Sequence, residues 1–388
     1  MRIVMACETY SPDVNGAAVF ARRLAEGLAY RGHETHVISP SPLGHSYQED
    51  LAGVRLHRVP SYKYPWHATF HIADFRKVSS AVAGIMRDVR PDIVHLQAHL
   101  VVGRRVSSES QTLGIPVVAT NHFMPENLRS YSPMPLPEHV YRAAAALAWR
   151  DLGNVLQRAD FITAPTPYAV DLLRRKTGIE RAQAISCGVD IEAYRPTGQT
   201  GHHPVPTVLF VGRLDREKHV DDIIDALPML DAATRLRIVG QGSTEGALRR
   251  HAVSRGVDTR IDFLGQLSDD EVRDEYAQAD VFCMPGTAEL QSIATLEAMA
   301  SGLPVVAANA HALPLLVTPG RNGELFRPGD INGLAMGLQK VLTDADRARA
   351  YGVASLNRVR THDIKNTLNA FESLYEEAAT GSEIRRST

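Results

Sequence analysis

Two glutamates, Glu289 and Glu297, stand eight positions apart in Thr287-Ala-Glu-Leu-Gln-Ser-Ile-Ala-Thr-Leu-Glu-Ala-Met-Ala-Ser-Gly-Leu-Pro-Val-Val. Ser292 to Ala300 are mostly helix formers, and Ser301-Gly302-Leu303-Pro304 stops the helix. Val305 to Ala307 then read as a short buried strand. Glu289 therefore precedes the helix, close to amides that have no partner within it, and Glu297 lies inside. Eight helical residues rise about 12 Å, roughly the span of a nucleotide-sugar from hexose to ribose. The helix-opening amides between the two carboxylates can hold an anion, and a diphosphate suits them. Taken alone, the pair also fits a solvated helix face, so the context has to decide.

Cations come from a second stretch. Val208 to Gly212 reads as a strand, and Gly212-Arg213-Leu214-Asp215-Arg216-Glu217-Lys218 leads into the next helix. Arg213 and Lys218 bracket that loop, where they can neutralise a diphosphate leaving group without a metal. Plain surface charge is the competing reading, but basic residues are unfavourable at a helix start, which tips the balance towards function. Asn15-Gly16-Ala17-Ala18 supplies small residues where a chain can approach a ligand closely, and also suits a simple helix start. His122 follows the strand ending Val118-Ala-Thr120, beside Asn121 and Glu126. As an isolated histidine it is open to either a substrate contact or an ordinary surface or core role.

The elements that position these residues alternate. Strands are expected at Ile3–Ala6, Thr35–Ser39, Val54–Arg58, Ile93–Leu96, Pro116–Thr120 and Phe161–Ala164. A helix over Val19–Arg31, ended by Gly32, and helices centred near Val82, Val106, Ala145 and Leu172 intervene. Such alternation implies a parallel doubly wound sheet, with ligands beyond the carboxyl ends of its strands. Cys7–Gly16, Gln97–His99 and Asn121–Asn127 then form a functional rim. Tyr194 to Pro206 turns to glycine, proline and polar residues and reads as the linker. The pattern restarts with strands at Val208–Gly212, Leu236–Val239, Ile261–Leu264, Val281–Met284 and Val305–Ala308. Leu334–Glu377 reads as helix with a break near Thr361. The expected architecture is α/β: two Rossmann-like doubly wound domains, 1–200 and 201–362, facing a cleft, with a helix over about 363–380 packing back on the first.

A chain of 388 residues accommodates two such domains. Its net charge of -2 gives no electrostatic footprint for nucleic acid. Cys7, Cys187 and Cys283 are widely spaced in apolar runs, as buried thiols in a reducing compartment would be. Met1 to Cys7 lacks the apolar length of a signal peptide, and no run approaches a transmembrane span. A cytoplasmic protein is expected, at most peripheral at the inner face of a membrane. Asp221-Asp222 and Asp269-Asp270 open expected helices, where they complement the dipole and need no metal.

Gly212-Arg213 with Lys218, the Glu289 and Glu297 pair, and the strand, glycine and histidine pieces of the first half together resemble retaining glycosyltransferases of the GT-B fold, family four. The likeness runs over nearly the whole chain. It implies a nucleotide-sugar held mainly by the second domain and an acceptor held by the first. Arg213 and Lys218 then match the family's diphosphate ligands. Glu289 matches the carboxylate near the transferred sugar, Glu297 the one on the ribose, and Gly16 and His122 the groups near the reacting centre. The base-binding turn corresponds to Phe263–Leu267, through backbone contacts at Gln266 and Leu267. Many members have Glu-Ser/Gly-Phe-Gly at the first glutamate, whereas this chain has Glu289-Leu290-Gln291-Ser292-Ile293. With Thr120 to Asn127, that wording is similar to the branch of bacterial diacylglycerol glucosyltransferase-like enzymes. The bulk of Leu290 and Gln291 bears on which hexose fits, while amides at Gln291, Ser292 and Ile293 remain able to bind phosphate.

The implied activity is metal-independent, front-face transfer of a hexose, with UDP-sugar the expected donor and no cofactor. Double displacement would need a carboxylate on the sugar's other face, and no residue stands out for it. Ser61–Phe70 and Phe123–Tyr141 are aromatic and irregular, suited to a small polyol or to lipid. Arg104-Arg105 and Arg174-Arg175-Lys176 are short as basic membrane patches, so peripheral contact is left open, as is oligomeric state. The alternatives are a nucleotide-sugar epimerase or sugar phosphorylase on the same scaffold, and a non-enzymatic two-domain binder. A dehydrogenase is disfavoured because Val239-Gly-Gln-Gly242 is only a fragment of GxGxxG.

Overall fold

The computed structural model describes residues 1–13, 15–64, 70–126, 137–196 and 204–387. Val14, residues 65–69 and 127–136 of the two aromatic rim segments (Asn127 among them), and 197–203 of the expected linker lie outside the described residues. The chain forms two compact units, Met1–Ser186 with Thr367–Thr388, and Cys187–Asn366. The change of unit comes earlier than the composition suggested, at 186/187 and not 200/201. The reason lies in the backbone: Val189 N donates to the His362 carbonyl and Ile364 N to that of Val189, both at 2.9 Å. Cys187 N donates to Gln291 Oε1 at 2.7 Å. These bonds tie residues 187 onward to the second unit before the polar stretch begins.

The first unit holds strands β1 (Arg2–Ala6), β2 (Glu34–Pro40), β3 (Tyr47–Leu51), β4 (Val54–Val59), β5 (Ser61–Lys63), β6 (His71–Ala73), β7 (Ile93–Leu96), β8 (Val117–Thr120), β9 (Phe161–Ala164) and β10 (Ala182–Ala184). Its helices are α1 (Gly16–Tyr30), α2 (Val78–Val89), α3 (Val101–Leu113), α4 (Glu138–Leu156) and α5 (Pro167–Thr177). Among the described residues the main sheet runs β10-β9-β8-β7-β1-β2-β4-β3. It is parallel except for β3, which pairs antiparallel with β4, a correction to the all-parallel expectation. The Tyr-Gln-Glu-Asp-Leu sequence of β3 is exposed from Gln48 to Leu51 and carries two acids, as suits an edge strand and as a strand search by apolar pattern overlooks. α1 starts at Gly16, three residues ahead of expectation, because Asn15 Oδ1 caps it by accepting from Ala18 N at 3.0 Å. Phe20, Leu24 and Leu28 are each no more than 1% exposed, and burying each contributes about 1.5–3 kcal/mol.

The second unit holds β11 (Thr207–Val211), β12 (Arg235–Val239), β13 (Ile261–Gly265), β14 (Val281–Met284), β15 (Val305–Ala308) and β16 (Gly323–Phe326), in the order β13-β12-β11-β14-β15-β16. Its strand pairs are all parallel. The helices are α6 (Val220–Ala226), α7 (Glu245–Ser254), α8 (Asp269–Gln278), α9 (Ile293–Ala300), α10 (Leu313–Leu316), α11 (Ile331–Leu342), α12 (Ala345–Val359) and α13 (Ile364–Ser387). The expected break at Thr361 is a 3₁₀ turn, Arg360–His362. A second break falls at Thr343, because Asp344 caps α12 through Arg347 N at 2.9 Å. From Thr367 onward α13 belongs to the first unit. There Tyr375 OH meets His95 Nδ1 at 2.6 Å and the Phe371 ring lies 6.0 Å from Phe20.

Candidate functional site

In both sheets the strand order reverses beside the first strand of the unit, between β1 and β7 and between β11 and β14. Open α/β sheets leave a crevice at such a switch point, outside the strands' carboxyl ends. In the second unit, the loops after β11 and β14 carry Arg213, Lys218 and Glu289. The structure brings the last two together: Lys218 Nζ donates to Glu289 Oε1. The loops are further tied by Thr287 N donating to the Glu217 carbonyl (3.1 Å) and by His219 Nε2 meeting Thr287 Oγ1 (3.1 Å). The loop after β12 braces them from behind. Leu214 N donates to the Gln241 carbonyl at 2.9 Å, and a Cβ on Gly240 would sit 2.0 Å from the Gly212 oxygen. The Gly-Gln-Gly fragment thus serves close backbone packing.

Arg213 is held by two carboxylates absent from the sequence expectation. It donates to Asp215 Oδ2 and, at 2.8 Å, to Glu217 Oε1. Asp215 is itself fixed by Ser243 Oγ at 2.8 Å and Ser243 N at 3.1 Å. Glu217 Oε2 is buried without a partner among the described residues. The acid-base alternation of Asp215-Arg216-Glu217-Lys218 was the available signal. Both cations are therefore oriented before any ligand arrives, at the cost of facing carboxylates that an incoming anion must displace or share.

Ser292 is the N-cap of α9, its Oγ accepting from Thr295 N at 3.3 Å. The amides of Ile293 and Ala294 have no partner among the described residues, which leaves an anion-accepting end next to Glu289 in sequence. Gln291 turns its side chain to Cys187 N, so its own contribution to ligand binding would come through the backbone. Glu297, 6% exposed, lies 3.0 Å from the Tyr276 hydroxyl, which also lies 3.1 Å from the Ala294 carbonyl. Sequence reading passed over Tyr276. Gln266 is exposed and Leu267 half-buried just past β13.

In the first unit, Gly16 opens α1 and is exposed. His122 follows β8, its Nε2 donating to Gln97 Oε1 at 3.0 Å. The Gln97 amide nitrogen lies 3.2 Å from the ring nitrogens of His95, whose Nε2 meets Thr120 Oγ1 at 2.6 Å. Burial holds His122 down to about 4 and His95 to about 3, so both rings are neutral at pH 7. Asn121 Oδ1 accepts from Phe123 N at 3.0 Å, while its buried Nδ2 has no partner among the described residues. Glu8, in the loop after β1, accepts from Val102 N (2.6 Å) and Gly103 N (3.2 Å) at the start of α3. Burial raises its carboxyl to about 7 despite those bonds.

Among the described residues His219, Asp221 and Asp222 offer ligand atoms within 4.8 Å of one another. Asp221 and Asp222 lie in the first turn of α6, and Asp269 and Asp270 in that of α8, which carries a Ser268–Glu271 capping box. The cysteines are free and buried. No helix among the described residues is long and apolar enough to cross a membrane.

Residues 14–193 match the family described as Glycosyltransferase Family 4, and residues 205–344 match Glycosyl transferases group 1. The chain is 32% identical over 341 residues to a GDP-mannose-dependent alpha-mannosyltransferase of Mycobacterium tuberculosis, covering 85% of each. It is 24% identical over 347 residues to the alpha-monoglucosyldiacylglycerol synthase of Acholeplasma laidlawii, covering 85% of this chain and 86% of that one. In fold it is similar to a sucrose-phosphate synthase from Thermosynechococcus elongatus, with TM-score 0.83, 20% identity, and coverage of 98% and 99%.

Proposed function

The chain belongs to glycosyltransferase family 4, with the GT-B fold and hexosyltransferase activity, and from that premise we propose that it moves a hexose from a nucleoside diphosphate to a hydroxyl of a polyol or glycolipid head group, with retention and without a metal. The observation that carries this reading is the Lys218–Glu289 contact at the second switch point, which pairs a cation with a carboxylate on the loop that leads into α9.

In this scheme the diphosphate takes Arg213, Lys218 and the amides from Gln291 to Ile293. Glu289 accepts from hydroxyls of the hexose, Glu297 from the ribose, and backbone at Gln266 and Leu267 holds the base. The acceptor oxygen attacks the anomeric carbon from the face the diphosphate leaves. As the carbon–oxygen bond to phosphate breaks, the departing phosphate oxygen takes the acceptor's proton, and the fixed cations stabilise the charge that develops there. His122, neutral and oriented by Gln97, hydrogen-bonds a sugar hydroxyl and is not the base; Gly16 allows close approach of the backbone. GDP-mannose is the donor named by one relative, while the motif resemblance favours UDP-hexose; calorimetry with both ranks them. The glycolipid acceptor follows the name of another relative, and peripheral membrane contact accompanies it.

Glu289→Ala is expected to lower kcat by about 100-fold or more while nucleoside diphosphate affinity changes by only a few-fold. An unchanged rate removes Glu289 from the sugar site. Excess chelator is expected to leave the rate intact, and a complete loss that added divalent cation restores contradicts the metal-free scheme.

A further inference from the structure

We infer that Glu8 and Asn121 select the acceptor, so that the first unit takes an uncharged polyhydroxy ring, a cyclic polyol or sugar head group, and discriminates against one bearing a phosphate there. The inference rests on the reading that this unit holds the acceptor, and it goes further by naming the chemical class and the residues that choose it.

The position is the first unit's own switch point. Glu8 leaves β1, Gln97 leaves the adjacent β7 and Asn121 leaves β8, so two strand spacings, about 10 Å, separate the outer pair of strands. A helix N-terminus at such a place commonly receives a phosphate. Here the first amides of α3 are already taken: Val102 N and Gly103 N both donate to Glu8 Oε1. The chain supplies its own anion, and a ligand phosphate would meet a 93%-buried carboxyl group where it needs donors. The cations that act on Cys7 and Glu8 already have partners. Arg58 donates to Glu49 at 3.0 Å, to Ser39 Oγ at 2.9 Å and to the Ser11 carbonyl of this same loop at 2.6 Å, and Arg104 donates to Asp151 at 2.5 Å.

What the edge does offer suits hydroxyls. Glu8 Oε2 has no partner among the described residues and can accept. Asn121 Nδ2 is a buried donor without a partner, in a side chain otherwise fixed by its bond from Phe123 N. An orphaned buried donor is costly unless a ligand satisfies it. A hydroxyl both donates and accepts, so a ring with several of them satisfies an acceptor and a donor together; a phosphate, which carries only acceptors when ionised, satisfies Asn121 and is repelled by Glu8 above pH 7, where the carboxylate form prevails.

The experiment compares wild type with Glu8→Gln and Asn121→Asp, the latter keeping the Oδ1 that fixes the loop while removing the donor. The probes are myo-inositol, methyl α-D-glucopyranoside and myo-inositol 1-phosphate, followed by saturation-transfer NMR and by probe-dependent release of nucleoside diphosphate from the donor. Wild type is expected to favour the neutral probes by about tenfold or more. Glu8→Gln is expected to bring the phosphorylated probe to within about threefold of them, and Asn121→Asp to weaken the neutral probes by about tenfold. Nucleoside diphosphate affinity, read by calorimetry, should stay within about twofold in both. Equal or better use of the phosphorylated probe by wild type, binding of none of the probes, or two variants indistinguishable from wild type each overturn the proposal. Failure of wild type to bind nucleoside diphosphate sinks the donor-site reading instead, so the two are told apart.

Discussion

The carboxyl edges of the two sheets occupy equivalent topological positions but are built from opposite materials. At β11 and β14 the side chains are ionic and held in pairs: Arg213 on Asp215 and Glu217, and Lys218 on Glu289. At β1, β7 and β8 the edge is largely a neutral hydrogen-bonded chain through His122, Gln97, His95 and Thr120, ending on Thr163 and Tyr375. Ionic groups oriented in advance meet a charged leaving group with little reorganisation. Neutral groups of fixed tautomer read hydroxyls by direction, at low cost in desolvation. In the proposed scheme the same fold position thus serves charge in one unit and shape in the other.

The sharpest break of that contrast is Lys218→Ala. Nucleoside diphosphate affinity should fall by about 10- to 100-fold and kcat by about 100-fold or more, while affinity for the bare nucleoside stays within about twofold. Calorimetry on the two ligands decides it, and equal losses on both would mean the loop is merely structural.

Gln97→Leu tests the other edge and should cost less, about tenfold in kcat with nucleoside diphosphate affinity unchanged. It frees His122 to adopt either tautomer. Gln97→Glu should instead raise the histidine's pKa and bring a rate dependence into the range of pH 5–8; a flat profile for that variant would disconnect Gln97 from His122.

Acidification gives the smallest and broadest effect. Burial lowers His57, His99 and His122 to about 4 and His95 to about 3, all below the ordinary value near 6.5. For a histidine depressed on folding, the stability is fully present above the unfolded value and is lost as pH falls from about 6.5 towards 4. Glu8, raised to about 7, works in the opposite sense over part of that window. Each histidine contributes up to about 1.4 kcal/mol per pH unit there. Hydrogen exchange should show first-unit amides losing protection before those of the second unit, and simultaneous loss would contradict the contrast.

Much of this was legible in the sequence because its signals are local. The helix formers from Ser292 to Ala300, the Gly302-Leu303-Pro304 stop and the apolar runs of β1, β7, β11 and β14 each declare themselves within a few residues. The bracketing Arg213 and Lys218 were read from spacing, but not Asp215 and Glu217, the acids that hold Arg213, since a carboxylate between two cations looks like ordinary surface alternation. Tyr276 reaches Glu297 from another helix, and no local pattern announces that. Glu8 was hidden for the same reason: its partners lie 94 and 95 residues away. The unit boundary was misread because composition marks where a chain turns polar, whereas Val189 pairs with residues near 363 through backbone bonds.

Tyr375 closing the buried polar chain under His122 has a consequence for biosynthesis. On the ribosome the first unit's sheet is made before residues 187–366, yet His95 and Phe20 await a helix that emerges only after all of them. The half started first is thus the half completed last, so the usual order of domain maturation is reversed here. A premature stop near codon 366 would leave that half with an open seam even though its sheet is fully synthesised.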